Sequence, residues 1–251
     1  GNFPRTTIVV QISNLTQKQK RKRITKCSQS TELQFISTLF LYISPIATAF
    51  QSNIPILTFA PNGKPMRKLE LDELQRDDYE TYKQKPKLPV TVVLDNIRSM
   101  YNVGAVFRTC DAFLVEKLYL CGITAQPPHR EIQKTAIGAT ESVEWMYYPT
   151  ARQAVQTLKQ QGYQVVGVEQ TDESNSLLEA PVETDQKYAL VMGNEVEGLS
   201  EELLEDLDLA VEIPQFGTKH SLNISVSSGI VIWQYVSHFI KANRMSQQRF
   251  Q

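Results

Sequence analysis

Short apolar runs recur along the second half of the chain, and segments with helical spacing separate them. The first run, VTVVL at residues 90–94, lacks the polar and apolar alternation of a half-exposed strand. Such a run is typical of a strand that is buried on both faces of a sheet. Further strands are predicted at residues 117–121, 164–168, 188–192 and 209–213. This order predicts an α/β fold with a mainly parallel sheet and helices on both faces.

The predicted helices have recognisable ends. Asn102 is a candidate N-cap for a helix at residues 103–113, and Gly162 follows a helix predicted at residues 151–161. Other helices are predicted at residues 131–136, 200–207 and 223–242. Residues 66–251 are therefore expected to form one self-contained domain with a sizeable core.

Charge divides the chain into two unlike parts. Residues 1–65 hold eight Lys or Arg and one acidic residue, whereas the remaining 186 residues hold 18 basic and 26 acidic side chains. The first part contains the basic run KQKRKR at residues 18–23 and an apolar stretch at residues 33–50. We interpret residues 1–65 as an N-terminal extension without a regular fold, with Met66 as a natural start.

Two other interpretations of this extension remain open. The basic run, the apolar stretch and the sequence Ala47-Thr48-Ala49 together resemble a secretory signal. The polar residues Gln34, Ser37, Thr38 and Ser44 make residues 33–50 a marginal membrane span, so no membrane association is expected. The basic run could also contact RNA.

The cysteines argue against a disulfide framework and against a metal site. Cys27, Cys110 and Cys121 show no CxxC spacing and no Cys/His ligand spacing. We therefore expect no metal, and a reducing, cytoplasmic location. His238 falls among core-type residues of the C-terminal helix and is interpreted as a packed helix residue.

Three separate segments each place polar side chains beside a glycine and an apolar run. They are NVGAVFRT from residue 102, LVMGNEVEGLS from residue 190 and IPQFGTKHSLNISV from residue 213. Ends of parallel strands deliver polar atoms to a ligand in this way. The chain has neither a GxGxxG turn after the first strand nor a GxxxxGK[ST] loop, which disfavours standard dinucleotide and P-loop sites.

These segments are similar, in the same order, to the three motifs of the SpoU, or TrmH-type, branch of the SPOUT superfamily. The intervening KTAIGATESVEW at residues 134–145 also matches the usual middle segment of that family. The resemblance covers residues 88–240. It implies a SPOUT methyltransferase domain at residues 66–251 with a C-terminal deep trefoil knot, and methyl transfer from S-adenosylmethionine to a ribose 2′-hydroxyl of RNA.

The resemblance also implies the site residues. Arg108 matches the catalytic arginine, with Asn102 as its partner in the first motif, Glu195 as the acid of the second motif, and Ser221 and Asn223 in the third. The cofactor would be held largely by backbone groups of the second and third motifs. The implied cofactor-binding residues are Met192, Gly193, Asn194, Gly198, Ile213, Pro214, Leu222 and Asn223.

The chemistry of Arg108 suits this role. A guanidinium offers five donors in a rigid fork that matches an RNA phosphate, and it is a poor general base. Gly104 lies one helical turn before Arg108, so the missing side chain there is expected to leave room for a ribose or phosphate. Glu195 is expected to organise its loop or a substrate group.

RNA binding has to be reconciled with the acidic balance of residues 66–251. We therefore hypothesise that basic residues beside the motifs cluster on one face. They are Arg98, Arg108, Arg130, Lys134 and Lys219. Small residues at 227–229 would allow close approach of another segment, at a knot crossing or a dimer contact.

The resemblance implies a homodimer in which Arg108 acts beside the cofactor of the other subunit. Among RNA substrates, tRNA is favoured over rRNA. The alternative function is a catalytically inactive SPOUT-fold module that binds RNA or S-adenosylmethionine.

Overall fold

The computed structural model describes residues 67–70, 72–74 and 76–242. Its contacts divide the chain into Gly1–Lys68 and Leu69–Gln251, and every element below belongs to the second unit. The predictions made for residues 1–65, including the basic run and the apolar stretch, lie outside the described residues.

The core of the second unit is a seven-stranded sheet in which every pairing is parallel. Its order is β3-β2-β1-β6-β4-β7-β5. The strands are β1 Leu88–Asp95, β2 Val115–Cys121, β3 Trp145–Tyr148, β4 Tyr163–Val168, β5 Asn175–Ser176, β6 Lys187–Met192 and β7 Leu209–Glu212. The parallel pairings confirm the predicted α/β architecture. The central strands are formed by the continuous apolar runs from which it was predicted.

Helices connect these strands and flank the sheet. A short 3-10 helix, Asp72–Leu74, precedes them. The helices are α1 Tyr79–Gln84, α2 Met100–Ala112, α3 Arg130–Ala136, α4 Ala139–Ser142, α5 Ala151–Gln160, α6 Glu201–Leu204 and α7 Ile224–Ala242.

Both faces of the sheet are covered, as predicted. Val92 and Leu94 of β1 belong to a buried cluster with residues of α2 and α7. Val93, between them, belongs to a second buried cluster with residues of α5 and α6. Successive side chains of a strand point to opposite faces, so α2 and α7 cover one face while α5 and α6 cover the other.

Helix α2 begins earlier than predicted. Ser99, not Asn102, is its N-cap, and the Ser99 hydroxyl accepts a hydrogen bond from the backbone N–H of Asn102 at 3.3 Å. Either residue type can cap a helix. With Ser99 in the cap, Asn102 lies in the first turn and its side chain is available for other partners.

Helix α6 is shorter than the predicted 200–207. After Leu204 the chain tightens into turns in which Asp206 and Leu207 donate to carbonyls three residues earlier. The turns bring Asp208 to β4, where its carboxylate accepts a hydrogen bond from Val165 N at 2.7 Å. The start of β7 is thereby fixed.

Several short elements escape sequence reasoning. They are β3, β5, α1 and α4. Strand β3 lies at one edge of the sheet and is exposed at its two central residues, so it lacks the continuous burial that identifies the inner strands. Among the described helices, none combines the length and hydropathy needed to cross a membrane.

Candidate functional site

A cleft lies at the carboxyl edge of the sheet, where β1, β6, β4 and β7 end side by side. Its volume is about 350 Å³, within the range typical of small-molecule sites. Six predicted cofactor residues line it: Met192, Gly193, Asn194, Gly198, Ile213 and Leu222. Glu195 and Ser221 line it as well, whereas Pro214 and Asn223 are absent from its lining.

The loop after β6 folds back on itself to form one wall of this cleft. Asn194 and Gly198 exchange two backbone hydrogen bonds of 3.0 Å each, and Gly198 has a φ of +69° that favours glycine. The Asn194 side-chain oxygen accepts from the backbone N–H groups of Val196 and Glu197. These bonds within the loop define its shape.

Gly193 is needed for this shape. A Cβ added there would lie 2.4 Å from the carbonyl carbon of Gly198 and 2.6 Å from Leu199 N. Both contacts involve backbone atoms, which cannot rotate away. The absent side chain of Gly193 thus makes room for the backbone of the loop itself.

Asn96 supports the loop from β1, and sequence reasoning missed it. It has a φ of +55°, which Asn tolerates better than most residues. Its carbonyl accepts a 2.7 Å hydrogen bond from the Asn194 side chain, and its side-chain oxygen accepts from Ile123 N. The available signal was its position directly after the buried strand β1.

Glu195 joins the second segment to the first. Its carboxylate accepts from the backbone N–H groups of Arg98 at 3.2 Å and Ser99 at 3.3 Å, and from the Asn102 side chain at 3.1 Å. Partial burial opposes ionisation of Glu195, but these donors outweigh it and lower the pKa of its carboxyl. Glu195 is thus held as a carboxylate against the start of α2.

Asn102 joins the first segment to the third. While its amide nitrogen donates to Glu195, its oxygen accepts a hydrogen bond from the Asn223 side chain at 3.2 Å. Asn223 also caps α7, because its oxygen accepts from Ser225 N at 2.9 Å. One chain of hydrogen bonds therefore links all three segments, which are distant in sequence.

Ser221 and Leu222 are exposed residues of the loop before α7. Both line the cleft, and so does His220. Within residues 76–242, the Ser221 hydroxyl makes no side-chain hydrogen bond, so it is available to a bound molecule.

Arg108 lies outside the cleft, on the exposed face of α2. It lines a separate depression of about 540 Å³ that also includes Lys134 and Phe113. In the described part of the chain, its guanidinium has no ion pair, whereas Lys134 is paired with Glu131 at 2.8 Å and Arg98 with Glu197 at 3.6 Å. Two of the five basic residues of the hypothesised patch therefore share one depression.

The expected space beside Gly104 is not there. A Cβ at this position would lie 2.2 Å from the carbonyl oxygen of Ile132 and 2.2 Å from Thr135 Oγ1. The glycine instead lets α3 pack closely against α2. The small residues at 227–229 differ from one another. Ser228 is fully buried, whereas a Cβ on Gly229 would meet no atom within 4 Å, so Gly229 is open.

Two further cleft residues escape sequence reasoning, Glu169 and Gln170. They follow β4 directly and carry no glycine signal. Their position at the carboxyl end of a buried parallel strand is the feature that could have identified them.

The remaining predictions concern residues away from the cleft. Cys110 and Cys121 are free and buried, and burial raises the pKa of both thiols. His238 is half-buried in α7 with Nδ1 2.8 Å from the carbonyl oxygen of Gln234, so its interpretation as a packed helix residue is confirmed. No group of three or more His, Cys, Asp or Glu side chains able to hold a metal ion occurs among the residues that the structure describes.

Comparison with known proteins identifies the family of this chain. The family model of the SpoU rRNA Methylase family matches residues 89–233, which span all three segments. The chain belongs to the SpoU rRNA Methylase family. The resemblance found in the sequence is thereby confirmed.

Three curated relatives illustrate the range of the family. A tRNA (guanosine(18)-2′-O)-methyltransferase of Mus musculus is 35% identical over 66% of this chain, and one of Aquifex aeolicus is 34% identical over 60%. A 23S rRNA (guanosine-2′-O-)-methyltransferase of Neisseria meningitidis is 32% identical over 57%. The matched regions span 11%, 70% and 56% of those three proteins, respectively.

Solved SpoU-type structures share the fold. A TrmH/SpoU tRNA modifying enzyme of A. aeolicus superimposes with a TM-score of 0.58 at 28% identity, over 66% of this chain and 82% of that one. An AdoMet-bound rRNA methyltransferase of Sinorhizobium meliloti superimposes with a TM-score of 0.57 at 26% identity, over 64% and 59% of the two chains.

Proposed function

We propose that this protein transfers a methyl group from S-adenosylmethionine to a ribose 2′-hydroxyl of RNA, with tRNA as the favoured substrate. The single observation that carries the proposal is the hydrogen-bonded series Glu195–Asn102–Asn223, which joins the three family segments beside one cleft.

The cleft suits S-adenosylmethionine. It is large enough for a nucleoside-sized ligand, and the loops around it expose backbone groups at the carboxyl ends of parallel strands. Gly193, Asn194 and Gly198 would hold the cofactor from the second segment, with Ile213 and Leu222 opposite. When bound, the cofactor would supply a methyl group on a positively charged sulfur, which leaves as the neutral thioether of S-adenosylhomocysteine, while the 2′-hydroxyl proton is released to water.

The side chains of this chain would align the substrate. Arg108 is exposed and free of ion pairs within residues 76–242, so its guanidinium can donate hydrogen bonds to a phosphate next to the target ribose. Glu195 and Asn102 fix the start of α2, so the helix that carries Arg108 has a defined position for the substrate. Alignment of this kind supplies a large part of the rate enhancement in an enzymatic group transfer.

Relatives support tRNA as the favoured substrate. Both the mouse and the A. aeolicus relatives are named as tRNA (guanosine(18)-2′-O)-methyltransferases, while the N. meningitidis relative is named for 23S rRNA. The tRNA-named proteins are slightly more similar to this chain. A guanosine of tRNA is therefore the first substrate to test.

We also propose that the active enzyme is a homodimer. Arg108 faces a depression other than the cleft, so a second subunit would be required to bring a guanidinium to the cofactor. Helix α7 exposes an apolar stripe of Val226, Ile230 and Trp233, which are 50%, 39% and 51% exposed. These residues are spaced by four and three, so they share one face of the helix.

A C-terminal deep trefoil knot belongs to the same proposal. Strand β6 is inserted between β1 and β4, which precede it in the chain, and the following segment leads to α7 on the face of β1 and β6. This order supports a late segment passing through an earlier loop. The chain trace of a crystal structure across residues 187–242 would test it.

The dimer proposal can be tested by mixing Arg108→Ala and Gly193→Ala at a cofactor concentration too low for Gly193→Ala alone to be active. If each site is shared between subunits, a heterodimer of the two variants has one intact site and one site with both changes. About half of the dimers in an equimolar mixture are heterodimers, so the mixture should regain about a quarter of wild-type activity. No recovery, with heterodimers demonstrated by mass spectrometry, would place Arg108 and the cofactor in one subunit.

The function itself is tested with radiolabelled S-adenosylmethionine and separate pools of total tRNA and ribosomal RNA. We expect label in tRNA with the wild type and none with Arg108→Ala, while the exposed Arg76→Ala serves as the matched control and retains activity. Cofactor binding without label in either pool would favour the inactive binding module.

A further inference from the structure

The chain leaves β4 through Glu169 and Gln170, which both line the cofactor cleft. The backbone of Glu169 continues the sheet, because its N–H donates to the carbonyl of Val211 in β7 at 3.1 Å. The Glu169 side chain therefore projects from backbone that is bonded to the sheet.

Glu169 contacts the loop of the second segment. One carboxylate oxygen accepts from the backbone N–H of Leu199 at 2.9 Å, and the other accepts from Gln170 N at 2.9 Å. The carboxylate lies against Gly198, where an added Cβ would be 2.1 Å from Glu169 Oε2. Any side chain at residue 198 would therefore collide with the Glu169 carboxylate.

Gln170 contacts the loop of the third segment. Its side-chain nitrogen donates to the carbonyl of His220 at 3.0 Å. His220 directly precedes Ser221 and Leu222, and all three line the cleft. Two adjacent residues on one strand end therefore hold the two loops that form the walls of the cleft.

We propose that Glu169 and Gln170 are positioning residues that set the distance between the two cofactor loops before the cofactor binds. This inference rests on the proposed function, since it concerns the binding of S-adenosylmethionine. Loops that are ordered in advance bind a ligand more tightly, because less conformational entropy is lost on binding. Neither residue takes part in methyl transfer.

The test measures binding of S-adenosylmethionine, and of its neutral product S-adenosylhomocysteine, by isothermal titration calorimetry. Glu169→Ala and Gln170→Ala should each weaken both ligands by about tenfold, or about 1.4 kcal/mol. The affinity of Glu169→Gln for both ligands should lie between those of the wild type and Glu169→Ala, because the new amide oxygen can still accept a hydrogen bond from Leu199 N. Glu173→Gln is the matched control, since Glu173 is an exposed acid of the same segment outside the cleft.

Two further readouts separate positioning from other roles. Thermal melting of the free variants should be close to that of the wild type, and the KM for the cofactor should rise while kcat at saturating cofactor is retained. A loss confined to the cationic S-adenosylmethionine would overturn the proposal in favour of direct charge attraction. Wild-type binding by the variants would overturn it as well, whereas failure of the wild type to bind either ligand would instead contradict the proposed function.

Discussion

The carboxylate of Glu195, after β6, accepts a hydrogen bond of 3.1 Å from the side chain of Asn102, in the first turn of α2. The two residues are 93 positions apart in the chain. Asn102 simultaneously accepts from Asn223, so a single amide links the three segments. A substitution at any of these three residues should therefore alter the hydrogen bonding of the other two.

Coupling between Asn102 and Glu195 should be measurable in a double-mutant cycle. We expect Asn102→Ala and Glu195→Ala each to reduce methyl transfer, and the double variant to lose less than the sum of the two losses. Contacting residues commonly show interaction energies of about 0.5–3 kcal/mol. Strictly additive losses in kcat/KM would show that the hydrogen bond does not contribute to the site.

Gly193→Ala should weaken cofactor binding by more than about tenfold, because the new methyl group would collide with the backbone of Gly198 and Leu199. Gly217→Ala is the matched control, since a Cβ there meets nothing within 4 Å. Calorimetric titration with S-adenosylmethionine compares the two. Equal affinities would contradict the described shape of the loop.

Gly104→Ala should destabilise the fold by about 1–3 kcal/mol, because a Cβ would collide with the carbonyl of Ile132 in α3. Gly229→Ala in α7 should instead be neutral or stabilising by up to about 1 kcal/mol, since the site is open and alanine favours a helix. Urea denaturation measures both. A neutral Gly104→Ala would mean that α2 and α3 pack less closely than described.

The contribution of Glu195 to stability should depend on pH. Its folded-state pKa lies below that of an unfolded glutamate, about 4.3. The stabilisation is therefore fully present above that value and is lost as pH falls through the lowered folded-state pKa. Wild type should melt above Glu195→Gln at neutral pH, and the gap should close in acid. A constant gap would indicate that Glu195 does not titrate in this way.

Much of the fold could be predicted because the strands of this sheet are buried on both faces. The runs that became β1, β6 and β4 are apolar without alternation, and parallel pairing follows from the intervening helices. By contrast, β3 is a half-exposed edge strand. Its sequence carries no comparable signal.

The site was only partly predictable, because hydrogen bonds between distant segments leave no periodic pattern. The cleft-lining residues Gly193 and Leu222 could be identified from their motifs. The contact between Gly104 and Ile132 could not, since a glycine on a helix face is equally compatible with a ligand and with a neighbouring helix. Glu169 was missed because its role depends on the position of Leu199, 30 residues later.

The methyl group is predicted to go to a ribose oxygen. Alkaline hydrolysis of tRNA labelled by this enzyme tests it most directly, because cleavage of the RNA backbone requires a free 2′-hydroxyl. We predict that the label appears in alkali-resistant dinucleotides and is absent after reaction with Arg108→Ala. Label in mononucleotides would show that a base is methylated, and would contradict the account.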